Sequence, residues 1–297
     1  MHYILLLPLL LFGYLSNNHL SVSTYQMTLK VQKNQAKKQA SALSIIHLSD
    51  LHNKTFGRRQ SRLMKKIRAL KPDLIVITGD LVDGAPHRHA AAFLREASRI
   101  CPVYYVRGNH ESLAGNFPVL KQTVSDCGVH LLVNRSVDFK KDGYTYRITG
   151  LDDPKFYGKD DHYKALLKQM LDHMHTLSGQ TPAKAQKKMN AVCQDGSGAD
   201  FRILLTHRPE LFSLYSRYPY DLVLCGHAHG GQIRIPFTDG LYAPGQGIFP
   251  KYTSGAHTKN HTTEIISRGL GNSSFPLRLF NDPEIVHVQI CLQVHSA

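Results

Sequence analysis

The chain has 297 residues, with 36 Lys and Arg against 22 Asp and Glu, a formal net charge of +14. That length suits one α/β domain with a sizeable core, and the charge favours anionic partners. The absence of zinc-finger spacing, RNA-binding aromatic motifs and basic repeats disfavours nucleic acid, and five cysteines without CxxC spacing cannot all pair internally, which excludes a complete disulfide scaffold.

In chain order, Tyr3 to Leu15 is almost wholly apolar and is followed by Ser16-Asn17-Asn18-His19. Thirteen residues rise only about 20 Å as a helix, short of the roughly 30 Å hydrocarbon core. No Lys or Arg precedes the run and no clear cleavage site follows it. The expectation is a short signal anchor that holds the catalytic domain near a bilayer, with a buried N-terminal helix as the alternative. Lys30, Lys33, Lys37 and Lys38 then read as a basic linker, set against anionic lipid or simply solvated. Residues 1–40 are thus expected to be leader and linker, and residues 41–297 the catalytic domain.

Five apolar runs follow, at Ser44 to Leu48, Leu74 to Thr78, Val103 to Val106, Phe201 to Leu205 and Leu222 to Cys225, each reading as a buried strand. A helix is expected from Arg58 to Leu70, ended by Lys71-Pro72, and another from Ala90 to Arg99. Strands are expected at Tyr144 to Thr149, Thr262 to Ser267 and Ile285 to Leu292. Between them, Asp160 to Leu177 reads as an amphipathic helix and Ser178 to Asp200 as a Gly, Lys, Gln and Ser-rich stretch. This insertion, about 155–200, is expected either to cap the site or to be a surface loop.

Each of the five apolar runs ends in a short polar motif: Asp50-Leu51-His52, Gly79-Asp80, Gly108-Asn109-His110-Glu111, Thr206-His207 and Gly226-His227-Ala228-His229. In open α/β sheets the C-terminal strand ends are where loops converge on a ligand. Imidazole with carboxylate suits Mn, Fe or Zn more than Mg or Ca. Two such ions can clamp a phosphoryl group and generate a hydroxide nucleophile. A carboxylate shared between them is needed, and Asp80, alone at its strand end, fits that role. Singly, each motif is better explained as a turn or a helix cap; five in this order are not.

The order D-x-H, GD, GNHE, H and GHxH resembles the calcineurin-like metallophosphoesterase superfamily. The resemblance implies a four-layer αββα sandwich of two mixed β-sheets flanked by helices, and two divalent metal ions. One would be held by Asp50, His52, Asp80 and His229, the other by Asp80, Asn109, His207 and His227. It further implies His110 as the group that protonates the leaving oxygen or steadies the transition state. The stretches Gly230 to Pro236, Arg268 to Gly271 and Pro276 to Arg278 resemble the bacterial membrane-associated branch, which includes phosphodiesterases and UDP-2,3-diacylglucosamine pyrophosphohydrolases. Protein phosphatases of the superfamily carry an arginine after the second aspartate of their GDxVDRG motif, where this chain has Gly84 after Asp83. The expected activity is hydrolysis of a phosphoester or pyrophosphate, with a membrane lipid or lipid-linked nucleotide as substrate. A nucleotide or nucleic-acid phosphodiesterase and a non-catalytic scaffold are the alternatives.

Overall fold

The structure is a computed structural model that describes residues 13–32, 41–84, 88–113, 117–157, 163–177, 198–234, 239–272 and 275–295. Two six-stranded mixed sheets form its centre. The first runs β1 (Ser21–Gln32), β14 (Glu284–His295), β2 (Leu43–Leu48), β3 (Leu74–Thr78), β4 (Val103–Val106) and β5 (His130–Leu131). The second runs β12 (Gly255–Lys259), β13 (Thr262–Ile266), β9 (Leu222–Cys225), β8 (Phe201–Leu205), β7 (Tyr144–Gly150) and β6 (Arg135–Lys141). Strands β2 to β5 are mutually parallel, as are β7, β8, β9 and β13.

Strand alternation builds the layers. Leu43 and Ile45 point between the sheets, where they meet Val76, Val106, Ile148, Ile203, Leu205 and Leu224, whereas Ile46 and Leu48 point outward against Leu63, Met64, Ile67, Phe93 and Leu94. Those last residues line the inner faces of the helices Ser61–Ala69 and Arg88–Ser98, whose exposed faces are largely Lys and Arg. The first helix stops where Lys71 turns left-handed, at φ 47°, before Pro72. On the far side of the second sheet, Leu167 and Leu171 pack on Leu204 and Val223. Their helix, Tyr163–Leu177, therefore forms the fourth layer, so the expected cap does not extend to it. Residues 178–197, the rest of the expected insertion, lie outside the described residues.

The N-terminal expectation is corrected. Among the described residues no helix is long and apolar enough to cross a membrane, which overturns the expected anchoring and membrane localisation through that segment; residues 1–12 lie outside the described part. The helical residues 13–18 are instead tied to the domain. Lys54 donates to the Asn17 carbonyl, Arg62 donates to that of Asn18, and His19 meets Asp282 at 2.7 Å. Strand β1, placed by the sequence in the leader and linker, pairs along its whole length with β14. Tyr25, Met27, Leu29 and Val31 turn toward the space between the sheets, and Lys30 lies on the strand's exposed face. The rest of the expected linker, residues 33–40, lies outside the described residues.

His47 sits fully buried on β2, 2.8 Å from the Thr78 hydroxyl, and burial lowers its imidazole to about 3. In the unfolded chain a histidine titrates near 6.5. Below that pH the unfolded state binds the additional proton, so stability falls as pH drops toward 3. Between pH 6.5 and 5 this group removes about 2 kcal/mol. His47→Gln should flatten the decline in urea-measured stability over that window; an unchanged slope would assign the decline to other groups.

Candidate metal centre

The five motifs meet where the C-terminal ends of β2, β3, β4, β8 and β9 face one another across the two sheets. Backbone bonds set the loops in register: Asp50 N–H donates to the Gly79 carbonyl at 3.0 Å, and His52 N–H donates to that of Asp80 at 3.1 Å. Two further bonds cross between sheets. The His227 N–H donates to the Asp50 carboxylate at 3.1 Å, and His207 Nδ1–H donates to the Thr78 carbonyl at 2.7 Å. The second bond fixes the tautomer of His207 and leaves Nε2 directed at the centre.

The donor atoms fall into groups around Asp80. Its Oδ2 lies 3.2 Å from His207 Nε2 and 3.7 Å from His52 Nε2. His207 Nε2 is 3.2 Å from Asn109 Oδ1 and 3.0 Å from His227 Nδ1. On the other side, His52 Nε2 and His229 Nε2 are 3.2 Å apart, and His229 Nε2 is 3.3 Å from Asp50 Oδ1. Asp50, His52 and His229 form one group that could hold a metal ion, Asp80, His207 and His227 another, and His52, Asp80 and His110 a third that overlaps both. All seven expected ligands and His110 are thus gathered at one place.

The donor set fits cations. Nitrogens about 2.0–2.1 Å from one ion, at angles of about 90–109°, stand roughly 2.8–3.4 Å apart, and the imidazole pairs here are 3.0 and 3.2 Å apart. Charge points the same way. Burial would lower His207, but the Asp80 carboxylate beside it outweighs burial and raises His207 to about 10. Burial would likewise raise Asp80, yet the neighbouring imidazolium holds that carboxyl well below its usual range. Without a cation, then, the centre draws a proton onto His207. Burial lowers His227, His229 and His52, which keeps them neutral, the form that ligates a metal.

Holding these donors strains the backbone. Asp50, His52, Asp80, His227 and His229 have φ of 52°, 46°, 50°, 68° and 48°, left-handed values that cost of order 1–3 kcal/mol each in a non-glycine residue. Neighbouring glycines make the close approach possible: a Cβ on Gly226 would collide with Ser49 and Asp50, and one on Gly108 with Asp80. Glu111, named in the sequence only as part of its motif, clasps two loops. Its buried carboxylate accepts from Asp80 N–H at 3.0 Å, Leu81 N–H at 2.7 Å and Gly108 N–H at 2.7 Å.

Sequence reasoning also missed the groups that hold His229 and His110. The Asn281 amide donates to the His229 carbonyl at 2.7 Å and to that of Gln232 at 3.0 Å. The buried guanidinium of Arg278 braces the same wall, donating to the Gly271 and Arg268 carbonyls. His110 N–H donates to Asp80 Oδ1 at 2.9 Å, and its Nδ1 lies 3.0 Å from Asp83 Oδ1. Its Nε2 therefore faces the centre, 3.9 Å from Asp80 Oδ2. Asp83 had served in the sequence only to set the chain apart from protein phosphatases.

A four-layer sandwich with buried carboxylate and imidazole ligands at the strand ends is the architecture of a metal-dependent phosphoester hydrolase. Residues 43–231 match the calcineurin-like phosphoesterase family, and the chain belongs to it. It is similar to the uncharacterized metallophosphoesterase YkuE of Bacillus subtilis (strain 168), at 28% identity over 248 residues covering 81% of this chain and 76% of that protein. It is also similar to the phosphodiesterase YaeI of Escherichia coli (strain K12), at 25% identity over 263 residues covering 86% and 84%. TT1561 of Thermus thermophilus superposes with a TM-score of 0.48 at 13% identity, covering 77% of this chain and 91% of that one.

Because the proton on His207 must leave before the nitrogen can ligate, metal uptake by the metal-free protein at pH 8 should release a proton, read as a buffer-dependent heat in calorimetry. Asp80→Ala should abolish both uptake and release. Full metal content in that variant by mass spectrometry would remove Asp80 from the ligand set.

Proposed function

We propose that the protein hydrolyses a phosphodiester or pyrophosphate bond at a centre of two divalent ions that share Asp80. Three groups of donors that could hold an ion, two of which include Asp80, carry the reading. When bound, Mn, Fe or Zn there supplies Lewis acidity and an ionised water as nucleophile. The protein's part is to hold Asp50, His52 and His229 on one side, with Asn109, His207 and His227 on the other, and to exclude bulk water by burial.

His110 supplies the proton. Asp83 accepts from Nδ1–H, which orients the ring and leaves Nε2–H for the departing oxygen, the geometry of an acid steadied by a carboxylate. The ring is partly exposed, with 24% of its side chain open, so a leaving group can reach it.

The charge left over favours a diester. Arg107 is bound by Asp152 in a buried pair, Arg208 by Asp153 at 2.8 Å, and Arg278 by backbone carbonyls, with its Nη2 also 3.4 Å from His229 Nδ1. Among the described residues these three buried arginines are thus committed within the walls. A monoester dianion gains from a bidentate guanidinium clamp, while a singly charged diester needs only the ions and His110. The net charge of +14 favours an anionic substrate, a lipid phosphodiester or lipid-linked nucleotide among them.

Mn-loaded protein should cleave bis-p-nitrophenyl phosphate at least tenfold more efficiently than p-nitrophenyl phosphate; the reverse order would reject the diester reading. His110→Ala should keep its metal and lose about 10²–10⁴ in kcat. Asp83→Asn should lose less, because it removes the partner that orients the ring and not the ring itself. Full turnover in His110→Ala would end its role as the acid.

A further inference from the structure

Past His229 the chain leaves the centre as Gly230-Gly231-Gln232-Ile233-Arg234 and is flanked on both sides. On one side Leu241 N–H donates to the Ile233 carbonyl at 2.9 Å, and Phe249 N–H donates to that of Leu241 at 2.9 Å, within the hairpin formed by β10 (Tyr242–Ala243) and β11 (Gly247–Ile248). On the other side Ile233 bridges to Leu279, and Arg234 N–H donates to the Leu279 carbonyl at 3.0 Å. Asn281 binds both this stretch and His229. Two loops are therefore fastened to the segment that carries a metal ligand.

What these loops expose is apolar. Ile248 is 71% exposed, Phe249 70%, Phe280 58%, Tyr242 51% and Leu277 45%. Large apolar side chains scattered singly on a surface are ordinary; five concentrated on the two loops that flank the stretch leaving the centre point to a binding surface. The backbone adds an independent sign. Phe249 and Phe280 have φ of 51° and 52°, a conformation unusual for bulky side chains and one that clusters at ligand clamps.

We infer that this two-loop rim takes an aliphatic chain borne by the phosphodiester, and so sets which diesters are cleaved. The inference rests on the hydrolase reading above. Asn281 binds the His229 carbonyl and Gly231 abuts Gly240 and Leu241, so both loops start beside the candidate ligand His229, and the ladder from Ile233 through Leu241 to Phe249 extends away from it by two strand spacings, about 10 Å; a long chain on a phosphorus at the centre would run along these side chains. Self-association fits less well, because five side chains on two loops fall short of the roughly 800 Å² that each partner buries in a stable dimer. Burial of methylenes on such a surface contributes affinity that grows with chain length.

The test compares methyl p-nitrophenyl phosphate with decyl p-nitrophenyl phosphate, held below its critical micelle concentration. Both present the same phosphorus and the same leaving group. The wild type should show a KM at least tenfold lower for the decyl ester. The exposed double variant Ile248→Ser with Phe249→Ser should raise the decyl KM at least tenfold and leave kcat/KM for the methyl ester unchanged. Equal KM values for the two esters in the wild type, or a variant that shifts both alike, would overturn the assignment. So would a change in oligomeric state on size-exclusion chromatography with the decyl KM untouched. If the metal-loaded protein cleaves neither ester, the hydrolase reading fails on its own, and calorimetric binding of decyl phosphate against methyl phosphate then decides the rim: decyl preference lost in the double variant supports it, and no preference refutes it.

Discussion

The interaction on which the rest depends is the crowding of buried carboxylate and imidazole around Asp80. Two carboxylates and four histidines, nearly all without exposure, occupy the seam between the sheets. Ionised carboxylates in such surroundings are costly unless positive charge is close. The metal-free protein answers by protonating His207, which neutralises only part of the negative charge. Divalent ions do so more completely, and the donor spacing already matches them. Burial also raises the Asp50 carboxyl, and both charge and geometry therefore favour a cation at the centre.

Strain and scaffold follow from that crowding. Five ligand residues adopt left-handed backbone, and such conformations persist only where the surroundings over-determine them. Here the surroundings are rigid: parallel strands packed on both faces, cross-sheet bonds from His227 and His207, and Glu111 accepting from both loops it joins. Glu111 is itself buried, and burial raises its carboxyl, so its hydrogen bonds offset part of a cost that a surface residue would not bear. The helices and the outer cores serve mainly to keep the two sheets facing each other.

The candidate ligands were legible in the sequence because each follows a run of apolar residues that reads as a buried strand, as with Leu74 to Thr78 before Gly79-Asp80. The αββα layering came from the resemblance that these motifs carry, and the order of strands and helices was compatible with it. Strand β1 was not recognised, although Tyr25, Met27, Leu29 and Val31 alternate with polar residues; its place next to an apolar leader invited reading it as linker. Helix Tyr163–Leu177 was found, but its role was not, because an amphipathic pattern states that a face is buried and not against what. Asn281 and Arg278 lie some fifty residues beyond His229 and brace its wall through backbone carbonyls, contacts that leave no local pattern to read. Asp83 carried a visible signal, a carboxylate three residues past Asp80, yet only the fold shows that it turns to His110.

The stretch from His229 to Arg234 joins chemistry to selection. A metal ligand at one end is held by Asn281, and the same residues serve as the central strand for two apolar loops. Geometry at the centre tolerates little movement, so loops hydrogen-bonded to this stretch inherit its rigidity. That coupling offers a reason for strained aromatics at the rim: a side chain that selects substrate is most useful when its distance from the reacting phosphorus is fixed. The buried arginines near the centre hold its walls, so on the proposed reading discrimination between substrates would fall to shape and apolar contact.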